Sequence, residues 1–210
     1  MKENDIVHIS PRFRTPFFRL MRYSLLVAPW IATPVAADAP SFDCARASGE
    51  VEELICADEG LASLDRRLAQ VYARALDSWP AEELQELKAT QRGWIKGRND
   101  CWKAEDVREC AEFSYRTRIV ELQIGSGRFE APTPVGYLCE DREGTPFFAA
   151  FYNETDPPSV VLTRGDDQVI AFIARSGSGA RYTAANVEFW EHHGEATVDW
   201  FGEKLTCTVR

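Results

Sequence analysis

Histidine is scarce in this chain, with three in 210 residues: His8, His192 and His193. The zinc-peptidase spacing of two histidines four apart is absent. His192 and His193, with Glu188, Glu191 and Glu195 close by, are expected to point to different sides of a strand or turn. No cysteines stand at the close spacing of a structural zinc site. Metal binding is therefore not expected. Also missing are a nucleophile elbow, a Ser-x-x-Lys motif, a Walker loop and a dinucleotide fingerprint. Carboxylates are plentiful, but nothing singles out a pair of the kind that hydrolyses glycosides. The chain reads as a non-enzyme without cofactor or metal.

Basic charge is also in deficit, with 24 Lys and Arg against 33 Asp and Glu, net −9. Long hydrophobic runs are lacking. Residues 23–31 form a short apolar run, well under the ~20 residues needed to span a bilayer. Arg12, Arg14, Arg19 and Arg22 precede it, and the small residues Ala36 and Ala37 follow. Positive start, short apolar stretch and small residues describe a secretory signal peptide over 1–37, cut near Ala37. Met21 is an alternative start, because 21–37 is a compact signal by itself. Cys44 follows Ser41, Phe42 and Asp43, which is no lipid-attachment box. The mature chain is thus expected in the periplasm or secreted, without membrane insertion. The first 37 residues hold five of the basic and two of the acidic residues, so the remainder carries 19 against 31, net −12. A field of that sign does not attract nucleic acid or an anionic membrane, but it steers toward a basic protein.

Export makes the six cysteines, Cys44, Cys56, Cys101, Cys110, Cys139 and Cys207, disulfide candidates. The apolar periodicity divides them. Leu61, Leu64, Leu68, Val71, Tyr72 and Leu76 form one helical stripe, broken by Pro80. Leu84, Leu87, Gln91, Trp94 and Ile95 form a second, ending near Asn99 and Asp100. Cys110, Phe113, Thr117, Val120 and Ile124 form a third, stopping at Gly125 to Gly127. This predicts a small three-helix domain over 38–127. Residues 128–136, with two prolines and no periodicity, read as a semi-extended linker.

Beyond Tyr137 the pattern turns strand-like. Candidate strands are 137–140, 146–152, 159–163, 168–174, 181–183, 187–190, 196–201 and 205–209, separated by turn residues. Even spacing of this kind predicts a small antiparallel β-barrel over 137–210. Cys139 on the first strand and Cys207 on the last are placed to close it. Such a bridge would contribute on the order of 4 kcal/mol by restricting the unfolded chain. For the four cysteines of the helical region, alternative connectivities remain open: Cys44 with Cys56 and Cys101 with Cys110, or a crossed pairing that staples one end of the bundle. The fold class is therefore α+β in separate domains.

The segment Ser176, Gly177, Ser178, Gly179 is a slim, hydroxyl-bearing loop tip. Glycine lets backbone approach a surface closely, and serine can donate or accept hydrogen bonds. An ordinary Gly/Ser hairpin has the same composition. Together with Tyr137 and Cys139, the run through Ala180, Arg181 and Tyr182, the pair Phe189 and Trp190, then Glu195, Ala196, Thr197 and Cys207, it resembles the MliC/PliC family of periplasmic or membrane-bound inhibitors of C-type lysozyme. The resemblance implies an eight-stranded barrel whose loop serine enters the lysozyme cleft and meets the catalytic carboxylates. That serine is Ser178, framed by Ser176, Gly177, Gly179, Ala180, Arg181 and Tyr182. The family's lysine position falls here on His192. Lysine is charged at any physiological pH, whereas an ordinary imidazole is largely neutral above ~6.5. A contact there is therefore expected to strengthen on acidification, with Arg181 as an alternative cation.

The helical region resembles a second family. Phe42, Asp43 and Cys44, residues 51–56, Leu64 to Arg66, Gln91, Arg92, Trp94, Cys101 and Cys110 are similar to the LprI lysozyme inhibitors. The implied partner of the whole chain is C-type lysozyme, a strongly basic glycosidase. The alternative is a non-enzymatic envelope module that binds another protein or glycan, with the helical region as spacer or dimerisation element.

Overall fold

Asp58 sets the first departure from a three-helix reading. The computed structural model describes residues 39–127, 129–140 and 144–210. The signal-peptide reading and its cleavage near Ala37 lie outside the described residues. Among those described there are four α-helices: α1 (Glu50–Ala57), α2 (Glu59–Ser78), α3 (Leu84–Asn99) and α4 (Val107–Gly125). Asp58 is extended, ends α1, and its carboxylate accepts the Leu61 amide at 2.9 Å as the cap of α2. α1 thus lies ahead of the first predicted stripe, which begins at Leu61 in α2. Asp106 caps α4 the same way, accepting from Glu109 N at 2.8 Å. Trp79 turns extended ahead of Pro80 and ends α2.

The helices bury Ile55, Leu61, Leu68, Val71, Tyr115, Ile119 and Leu122 in one cluster. That cluster contains charge. The Arg98 guanidinium donates to Tyr115 Oη at 2.6 Å, and Tyr115 donates to Asp65 Oδ1 at 2.8 Å. The Ser41 amide donates to the other Asp65 oxygen at 2.6 Å. Asn99 accepts from Arg98 and donates to Glu52 at 3.1 Å. Burial pushes the Tyr115 hydroxyl far above its ordinary value, with Asp65 adding to the rise. A buried network of this type holds only when every member is satisfied. Cys44 is bonded to Cys56 and Cys101 to Cys110, so the crossed pairing is not the one formed.

Eight antiparallel strands close into a barrel in chain order: β1 (Val135–Cys139), β2 (Phe147–Tyr152), β3 (Ser159–Arg164), β4 (Asp167–Ala174), β5 (Ala180–Ala184), β6 (Val187–His192), β7 (Glu195–Trp200) and β8 (Glu203–Val209). β1 pairs with β8, which removes the sheet edges, and Cys139 sits directly opposite Cys207 in that pairing and is bonded to it. Val135 and Gly136, in the stretch that reads as linker, already pair with Ala149 and Phe148. Alternation turns Tyr137, Phe147, Leu162, Tyr182, Phe189 and Val198 inward. Phe147 and Phe189 stack at 6.0 Å, with Tyr137 edge-on to both. Two of the tight turns, His193 with Gly194 and Phe201 with Gly202, have positive φ at both residues, as two-residue hairpins favour.

Helices and barrel belong to one compact unit. Phe113 of α4 meets Phe172 of β4 edge-on at 5.8 Å. Asp156, in the β2–β3 loop, forms an ion pair with Arg67 of α2 and donates its amide to Gln123 of α4 at 3.1 Å. Beside these contacts a mostly apolar cleft of about 1120 Å³ runs between α4 and the outer face of β2 to β4.

Candidate functional site

The loop 175–179 joins β4 to β5, a hairpin whose strands pair through Ala174 and Arg181. Arg175, Ser176, Gly177, Ser178 and Gly179 are all exposed. The tip is nonetheless tied down. Ser178 N donates to Ser176 Oγ at 3.3 Å, and that hydroxyl donates to the Ser178 carbonyl. The same carbonyl accepts the Trp190 indole N–H at 2.9 Å. No hydrogen bond involves the Ser178 hydroxyl among the described residues.

Gly179 is fixed by space and by conformation. Its φ is +65°, and a Cβ there would stand 2.2 Å from the Glu191 carbonyl and about 3 Å from the His192 side chain. The loop base is therefore pressed against the end of β6, which brings His192 beside it. His192 is exposed, and its ring stacks on His193 with centroids 4.0 Å apart. This corrects the expectation that the adjacent histidines diverge. His193 has φ 57°, and the left-handed residue folds the second ring back over the first. Among the described residues no group of three or more His, Cys, Asp or Glu is arranged to hold a metal ion.

The other expected residues divide by face. Tyr182 is buried and packs against Phe151 and Phe189, so it supports the loop from inside the barrel. Arg181 lies on the outer face, paired in register with Trp190, and its guanidinium is ion-paired with Glu188. Burial, then the Glu191 carboxylate, push the Tyr137 hydroxyl up to about 12 and raise that of Tyr182. Glu191 also accepts the Gly194 amide at 2.9 Å, fixing the β6–β7 turn. Both tyrosines therefore stay neutral beside one carboxylate.

Sequence reasoning picked out the Phe189 and Trp190 pair but missed what Trp190 does. It also missed Glu188 as the partner of Arg181 and the Glu191 carbonyl against Gly179. The register was the missing signal: Ala184 opposite Val187 places Arg181 across from Trp190.

Residues 137–206 match the family described as membrane-bound lysozyme-inhibitor of c-type lysozyme, and residues 44–126 match the family described as lysozyme inhibitor LprI. Lipoprotein LprI of Mycobacterium bovis is 39% identical over 167 residues, covering 80% of this chain and 83% of its own. The lipoprotein LprI sequences of two Mycobacterium tuberculosis strains align with the same identity and coverage. No solved structure matches the chain.

Proposed function

The chain belongs to the lysozyme-inhibitor LprI family, and from that premise we propose that it is an exported inhibitor of C-type lysozyme whose barrel loop plugs the enzyme's cleft. The observation that carries this reading is the Ser178 hydroxyl, exposed and unpartnered among the described residues, at the tip of a loop whose backbone is held on both sides. In this reading Ser178 faces the two cleft carboxylates where the polysaccharide would lie. His192, against the loop base, supplies the second polar contact. The net charge, −9 over the full chain and −12 without residues 1–37, draws the inhibitor to a cationic enzyme and makes association salt-dependent. Removal of a signal peptide near Ala37 would deliver the chain to the periplasm or the medium. In this scheme the helical region over 38–127 and the barrel over 137–210 are two domains packed together in one compact unit. Monomer and homodimer are both compatible with it.

The test is a cell-wall turbidity assay with a hen-type lysozyme at low and high salt. Inhibition that weakens with salt is the expected outcome. No effect would favour a module for another envelope protein or glycan, and lysis by the protein alone would point to a glycosidase. His192→Lys, which restores a fixed charge, is expected to tighten inhibition at pH 7.5. An unchanged inhibition constant would remove His192 from the electrostatic contacts.

A further inference from the structure

We propose that Trp190 is the positioning residue that presents Ser178, holding the loop in its binding shape before any partner arrives. The inference rests on the loop reading above and adds to it a residue that need not touch the enzyme. Two features of the Ser178 backbone support it. Its N–H is taken by the Ser176 hydroxyl, and its carbonyl accepts both from that hydroxyl and from the Trp190 indole. A carbonyl oxygen has two lone pairs, and both are engaged. The backbone is therefore immobilised from two directions while the side-chain hydroxyl stays unpaired.

The two ties differ in kind. Ser176 lies within the loop, so its bonds close a small turn but do not anchor that turn to anything. Trp190 lies on β6, twelve residues along the chain. It is the tie that fixes the turn to the barrel wall. The ring reaches the loop because Trp190 stands opposite Arg181 on the outer face, one residue inward from the Ala180 and Glu191 pair at the hairpin mouth. Phe189, its neighbour, points inward and is fully buried, which pins the backbone that carries the indole. Trp190 itself is 40% exposed, so the core does not require a large ring at this position. Without this tie a tip of serine and glycine would be ordered only on binding, and that cost is set against affinity.

The experiment uses Trp190→Phe, which keeps a ring on the outer face and deletes the N–H. Inhibition constants are measured for wild type, Trp190→Phe, Ser178→Ala and the double variant, alongside backbone order parameters of Gly177 and Ser178 in the free protein. Trp190→Phe is expected to weaken inhibition about three- to tenfold, the scale of one neutral hydrogen bond. Loop order parameters are expected to fall below about 0.6 while those of the strands stay near 0.85. In the Ser178→Ala background the Trp190 change is expected to cost little further, because the brace acts through Ser178. Additive losses with an unmoved loop would reduce Trp190 to ordinary packing and overturn the proposal. A loop that loosens while Ser178→Ala leaves inhibition intact would uphold the brace and sink the plug. A loop that stays rigid in Trp190→Phe sinks the brace, whichever way the inhibition falls.

Discussion

The barrel and the helical region differ in where their charged side chains lie, because among the described residues only the helical region buries them. The barrel interior is aromatic and aliphatic, built around Phe147, Phe189, Tyr137 and Trp200. Ser176, Ser178, His192 and His193 gather at the mouth where β4 and β6 end and β5 begins. The helical region buries Arg98, Asp65 and Tyr115 in its centre. A closed sheet satisfies its own backbone, so its rim can carry exposed polar groups without weakening the core. The helical bundle instead uses a buried ionic network and two short-range disulfides to specify one packing. The region expected to meet a partner is the one whose polar groups face outward.

The largest effect that separates the two regions comes from their covalent bridges. Cys139 and Cys207 close 68 residues of chain, whereas Cys101 and Cys110 close only 9. In the chain-entropy relation these are worth about 4.4 and about 2.6 kcal/mol. Urea unfolding of the two double-alanine variants is expected to show the larger loss for the barrel bridge. A larger loss for the helical bridge would mean that the ionic network depends on it.

A smaller effect is expected at the loop base. Gly179→Ala introduces a Cβ into the Glu191 carbonyl at a residue with φ +65°. The cost is about 1 to 3 kcal/mol, met by displacing the loop. Inhibition should fall more steeply than the thermal midpoint. Loss of stability with intact inhibition would separate the loop from function.

Acid should distinguish the two regions by the smallest margin. The Ser48 amide, first, and then the Asn99 side chain and the Arg98 charge hold the Glu52 carboxyl below its ordinary value of 4.5, against the opposing effect of partial burial. Since the folded value is the lower one, Glu52 contributes stability above the unfolded value, and that contribution is lost as pH falls below about 4.5 and through the folded value. Amide signals of α1 and α3 should therefore weaken on acidification before those of the barrel strands. Glu52→Gln should narrow the difference, and a barrel that loosens first would reverse the comparison.

Much of this was legible in the chain because period-2 and period-3.6 patterns do not overlap. An antiparallel barrel joined at its ends by Cys139 and Cys207, and a Ser/Gly tip over 176–179, follow from spacing and turn residues, whereas Ser178 was singled out by the family resemblance. What was hidden depended on a single cap or on register. Asp58 reads as one acidic residue among many until its carboxylate is seen bonded to the Leu61 amide. Trp190 reads as half of an apolar pair until pairing sets it opposite Arg181, where its N–H meets the loop. The stacked His192 and His193 depend on one positive φ, which side-chain alternation does not anticipate.

The most direct measurement is the inhibition constant of Ser178→Ala against a hen-type lysozyme, with Thr133→Ala, an exposed change in the 131–134 segment, as the control. Truncating a central anchor costs about 2 kcal/mol, so inhibition by Ser178→Ala should weaken by about thirtyfold while the control stays unchanged. Equal inhibition by Ser178→Ala and wild type would contradict a mechanism in which this serine occupies the cleft.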